Sequence, residues 1–161
     1  MSESHTADGD IRRLHAGYVF FADRARIDDL VGLFTPDGVY RNVGGAYDGL
    51  VHSGAPAIRK YLASVVTDLG AVGVTGTHRH HVSPAYVEFS GAREARAESY
   101  FLALRASGPD HWGVYRDRLV RLGDHWRFAE RVCRIEGTSA DSWQHEVGEL
   151  RRVRASTGAM R

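Results

Sequence analysis

The apolar residues of this chain change their spacing once, and that change limits the fold more than any other feature of its 161 residues. In the first half they recur at intervals of three and four, as on one face of a helix; in the second half they alternate, as in a strand. Ile11, Leu14, Tyr18, Val19 and Phe21 predict an amphipathic helix from Asp10 to near Asp23. Ile27, Leu30, Val31 and Phe34 form the stripe of a second, which Thr35-Pro36-Asp37-Gly38 ends. A strand from Val39 to Val43 and a short extended piece over Ala46 to Leu50 follow, separated by Gly44-Gly45. Ser53 then stands as the cap of a third helix, with Pro56 in its first turn and Ile58, Tyr61, Leu62, Val65 and Val66 on its apolar face.

The stretches His80 to Phe89, Ala92 to Arg105, Trp112 to Leu122 and Trp126 to Ile135 read as four strands of a meander. Ser90-Gly91, Ser107-Gly108-Pro109-Asp110 and Gly123-Asp124 are the turns between them. Three helices ahead of four antiparallel strands give an α+β class, and the sheet is expected to curl strongly around the helices to bury their stripes, making a cone. The length fits one domain. Residues 1–9 are expected to be a loose arm, 10–136 the domain, and 137–161 a tail in which Trp143, Val147 and Leu150 could line up on a short helix.

Charge excludes several classes of partner. Lys and Arg total 21 against 20 Asp and Glu, giving a net charge of +1, and no basic stripe could neutralise a run of phosphates. No nucleic acid is expected. No stretch approaches the ~20 apolar residues of a membrane span, and the first residues lack the apolar core of a signal peptide, so the expected location is cytoplasmic. Cys133 is the sole cysteine and reads as a buried, inert thiol. GxGxxG, GxxxxGK[ST] and GxSxG are all missing, so a cofactor-independent reaction is expected. His78 and His80 share one strand face while His81 points to the other, which argues against a metal site.

Several segments in this order resemble the SnoaL-like branch of the NTF2-like superfamily, which includes polyketide cyclases, scytalone dehydratase and hexachlorocyclohexane dehydrochlorinase. They are Tyr18 with Ala22-Asp23-Arg24, Leu33 to Gly38, Gly54 to Ile58, Thr77 to Ser83, Gly113 to Asp117, and Trp126-Arg127-Phe128 leading to Arg131. The resemblance implies a cofactor-free lyase, isomerase or cyclase, dehydration first among them, acting on a carbonyl-bearing cyclic or polyketide-like small molecule. It also implies a homo-oligomer, dimer or trimer. The same fold serves non-catalytic subunits and ligand-binding proteins, and also epoxide and other hydrolases, so the site has to carry the functional argument.

The resemblance aligns Asp23 and His80 with an acidic residue and the catalytic histidine it supports. An Asp that holds an imidazole fixes its tautomer, and an imidazole titrating near ~6.5 can take or give a proton at neutral pH. Asp23 also reads as a capping or ion-pairing group beside Arg24 and Arg26, and parity alone does not choose His80 over His78. Tyr18 resembles one of two carbonyl-polarising tyrosines in placement, which completes the expected catalytic set of Asp23, His80 and Tyr18. Tyr40, Asn42, His78, Asp117 and Arg131 are expected to bind substrate. Tyr40 and Asn42 share a strand face; Asp117 reads equally as pocket lining or the partner of a nearby Arg. The resemblance places a charged residue facing the lumen at Arg131, while the run Arg127, Arg131, Arg134 also reads as solvated. The hydrolase alternative would need Asp23, Asn42 and Asp117 to converge.

Overall fold

A computed structural model describes residues 3–74 and 78–158. Helix α1 (Glu3–Ala22) and the short α2 (Ile27–Val31) come first, then strand β1 (Phe34–Val43), a 3-10 turn at Gly45–Tyr47, β2 (Val51–Ser53) and helix α3 (Ala55–Ala71). Strands β3 (Arg79–Val82), β4 (Tyr86–Phe89), β5 (Glu94–Arg105), β6 (Gly108–Leu122) and β7 (His125–Thr138) follow, and helix α4 (Trp143–Gly158) ends the described chain.

The helical stripes do what their spacing requires. Ile11, Leu14, His15 and Tyr18 of α1 are buried together, as are Ile58, Tyr61 and Leu62 of α3. Alternation is clean in β5, where Ala95, Ala97, Ser99, Phe101 and Ala103 are buried. In β6 the pleat is broken. A register shift in its pairing with β5, between Ala103 and Leu104, leaves Asp110 without a partner residue there and the consecutive residues Asp110 and His111 both buried, which an unbroken strand would not allow.

The expected strongly curved, mainly antiparallel cone is corrected by the strand order. The sheet is mixed and open: it runs β2-β1-β7-β6-β5-β3, with β4 also on β5, and β1 lies parallel to β7. It neither closes nor curls strongly. Burial of the helical stripes does not depend on curling, because α4 adds Trp143 and Val147 to the same core. Other boundaries moved too. The segment His80 to Phe89 is two strands separated by Ser83-Pro84-Ala85, since proline supplies no N–H to a ladder. Phe34 opens β1 instead of closing the second helix, and α3 is preceded by Gly54 with no side-chain cap, not by Ser53. The helix expected from Asp10 begins at Glu3, within the segment read as a loose arm. Thr77, the first residue of the segment Thr77 to Ser83, lies outside the described residues, as do 1–2 and 159–161 of the expected arm and tail.

Gly113 shows how close the central strands run: a Cβ there would collide with the Arg134 carbonyl oxygen of β7. Gly113→Ala is therefore expected to lower unfolding free energy by about 1–3 kcal/mol in a urea titration. Gly91→Ala, with open space around it, should stay within about 0.5 kcal/mol of the parent.

Candidate active site

Asp23 follows the last residue of α1, and its N–H still donates to the Val19 carbonyl at 3.0 Å, so the helix end aims its carboxylate at β3. There it accepts twice from one residue. The His80 backbone N–H lies 3.2 and 3.3 Å from its two oxygens, and His80 Nδ1 lies 2.7 Å from Oδ1. The Asp23 side chain is 4% exposed and that of His80 17%. Burial works to raise the Asp23 pKa, but the hydrogen bonds and charge of His80 outweigh it and hold the carboxyl below its usual value. An ionised carboxylate only accepts, so Nδ1 carries a hydrogen, and in the neutral form of the ring the lone pair is on Nε2.

His80 lines a cavity of about 130 Å³ between the helices and the sheet. Tyr18, Tyr40, Tyr61, Tyr115 and Asn42 supply polar groups to its wall, and Leu30, Leu62, Val65 and Phe101 supply apolar ones. The Tyr18 and Tyr40 hydroxyls are 3.1 Å apart. Tyr61 donates to Asn42 Oδ1 at 2.7 Å, and the buried Asn42 Nδ2 has no partner among the described residues. Desolvation raises the pKa of all four tyrosines, so each stays a neutral phenol at neutral pH.

His78 also lines the cavity, its ring 4.8 Å from that of His80, and its buried Nε2 has no hydrogen-bond partner among the described residues. Burial, reinforced by His80 and His111, pushes its pKa down to about 4, so it is neutral at pH 7. His81, exposed, faces away from this cavity into an outer groove shared with Arg12, Arg24 and Arg79.

A second carboxylate–imidazole pair borders the same space and was missed from the sequence. His111 Nδ1 is 2.7 Å from Asp110 Oδ2, and Asp110 also accepts from Ser142 Oγ at 2.8 Å and from the Trp143 backbone N–H at 3.2 Å. Burial raises the Asp110 pKa, yet those three donors bring it down to about 2. Asp110 had been assigned to a turn, and only the break in the pleat turns it and His111 inward. Through Asp110 the start of α4 is fixed beside the cavity, and Trp143 and Gln144 become part of its wall.

Asp117 and Arg131, expected to bind substrate, do not line the cavity. They are cross-strand neighbours, and Arg131 Nε and Nη2 donate to the two Asp117 oxygens at 2.8 and 2.7 Å. His15 Nε2 is 2.9 Å from Asp117 Oδ2. Arg131 is 1% exposed, with its guanidinium 4.0 Å from the centre of the Tyr18 ring. Cys133 borders the cavity as a free thiol whose pKa burial raises to about 11. Among the described residues no group of three or more His, Cys, Asp or Glu side chains is placed to hold a metal ion, and no helix is long and apolar enough to cross a membrane.

The chain belongs to the SnoaL-like domain family, whose model matches residues 3–132, and so to the NTF2-like superfamily. Solved structures share its fold. A protein assigned as a scytalone dehydratase from Novosphingobium aromaticivorans is 22% identical with a TM-score of 0.71, over 85% of this chain and 89% of that one. A hexachlorocyclohexane dehydrochlorinase of type 2 is 14% identical with a TM-score of 0.68, over 85% and 90%. A protein assigned as the β subunit of an aromatic-ring-hydroxylating dioxygenase, also from N. aromaticivorans, is 17% identical with a TM-score of 0.67, over 89% and 97%. No curated protein matches the sequence.

The depressed pKa of His78 has a consequence for stability. The unfolded chain takes up a proton near the usual value of 6.5 and the folded one only near 4, so stability present above the first value is lost as pH falls through the second. Urea titrations from pH 7 to pH 4 should show a loss on the order of 3 kcal/mol that His78→Gln removes, the contribution of His111 remaining in both.

Proposed function

We propose that the protein is a cofactor-independent acid–base enzyme of the lyase and isomerase type, with dehydration as its reaction and a small cyclic carbonyl compound as its substrate. The observation that carries this reading is the 2.7 Å contact between Asp23 and His80 at the edge of an unfilled, largely apolar cavity. His80 Nε2 takes a proton from the carbon next to the substrate carbonyl, and the carbonyl oxygen gains negative charge as the C–H bond breaks. Tyr18 and Tyr40 donate to that oxygen, and Asn42 Nδ2 offers a further buried donor. As the enolate collapses, the β-hydroxyl leaves with the proton that His80 took, so water departs and His80 is again neutral.

Cavity size sharpens the substrate class. A void of roughly 150 Å³ takes one benzene ring. The space here is about 130 Å³, on the scale of a single small ring and too little for a fused polyketide skeleton. The hydrolase alternative loses support because Asp117 is committed to Arg131 and His15 and does not converge with Asp23 and Asn42. The subunit alternative called for a plugged lumen or a separated Asp–His pair, and neither is the arrangement here.

A panel of single-ring β-hydroxy ketones, followed by the absorbance of the conjugated product, tests the reading. His80→Ala should lower kcat on a confirmed substrate by about 10²–10⁴-fold. Asp23→Asn should lower it by at least about 10²-fold, because it removes the tautomer preference and leaves the ring in place. Unchanged turnover in His80→Ala would overturn the assignment.

A further inference from the structure

The cavity chemistry leaves one large buried group unused. Arg131 is fully desolvated, and its guanidinium carbon lies 4.0 Å from the Tyr18 ring centre, 4.1 Å from that of Phe128 and 4.3 Å from that of Tyr115. A buried ion pair is a poor source of stability, since two charges leave water and hydrophobic replacements often serve as well. Its position relative to the tyrosines is more informative. Asp117 takes both of its bonds to Arg131 on one side of the guanidinium and has a further oxygen contact with His15, so the anionic end is occupied while the cationic plane faces the rings. Tyr18 in turn presents its hydroxyl to Tyr40 and the cavity.

We propose that Arg131, held behind the Tyr18 ring by Asp117, which His15 also contacts, is a positioning residue that makes the Tyr18 hydroxyl a stronger hydrogen-bond donor toward a substrate oxygen. When a phenol donates, electron density moves from the O–H bond into the ring, and a cation over the ring face stabilises that density. Away from water the effect is not screened. Burial raises the Tyr18 pKa, and Arg131 is the largest influence opposing it. The role rests on the reading of Tyr18 as the group that holds the carbonyl oxygen.

The direct test places 3-fluorotyrosine at position 18 and follows its phenol titration by ¹⁹F NMR, which needs no substrate. Replacing the pair by Arg131→Gln with Asp117→Asn removes the charge and keeps the shape. The midpoint should rise by about 0.4–1.5 pH units. Should that double variant fail to fold by circular dichroism, Arg131→Lys serves: it keeps the charge but withdraws the planar group, and the midpoint should rise by a smaller amount. A folded variant with an unmoved midpoint overturns the proposal.

Turnover separates this claim from the one beneath it. Arg131→Lys should slow a confirmed substrate by about 3–10-fold in the parent and have no effect when Tyr18→Phe is already present. Equal losses in both backgrounds would show that Arg131 does not act through Tyr18. If Tyr18→Phe alone left turnover unchanged, the carbonyl-binding reading would fall while the ¹⁹F result still stood.

Discussion

The site depends on one carboxylate. Asp23 ends the first helix, and by accepting both the backbone N–H and the ring of His80 it joins that helix to an outer strand of the sheet at the point where the cavity begins. Two bonds to one residue do more than one. The backbone bond fixes the height of β3 against α1, and the ring bond fixes the rotation of the imidazole, so the free nitrogen is set by the fold and not by solvent. The near-complete burial of the Asp23 side chain keeps water from competing for those bonds.

Around that pair the protein keeps its charges apart from its neutral hydrogen-bonding groups. His78 and the four tyrosines are neutral because desolvation makes their charged forms costly, while the buried carboxylates beside them are paired. Asp110 is tied to His111 and α4; Asp117 is tied to Arg131 and His15. The cavity wall thus presents phenols, an amide and imidazoles. The residues after the central strands matter in the same way: Trp143 and Gln144 reach the cavity only because Asp110 anchors the start of α4.

What could be read from the sequence was what depends on parity and period within one element. The two-residue spacing of His78 and His80 predicts one strand face, and both reach the cavity, although β3 itself begins only at Arg79. Tyr40 and Asn42 share a face for the same reason, and the run of apolar residues in α1 turns Tyr18 inward. Pairing between strands was not legible. Alternation turns Asp117 and Arg131 inward, but only the β6–β7 register sets them opposite each other and makes them an ion pair instead of a substrate clamp. Likewise nothing in the spacing shows that β1 runs parallel to β7, that the sheet stays open, or that a bulge against β5 carries Asp110 and His111 into the interior. A bulge costs one residue and leaves no compositional mark.

The measurement closest to the central claim is the tautomeric state of His80, read from its ¹⁵N chemical shifts with His80→Gln used for assignment. The account predicts a hydrogen on Nδ1, directed at Asp23, and an unprotonated Nε2 at neutral pH whose shift moves when a small cyclic ketone occupies the cavity. A hydrogen on Nε2, or an Nε2 signal indifferent to such a ligand, would mean that the Asp23 contact does not set the ring for proton abstraction, and the acid–base reading would be contradicted.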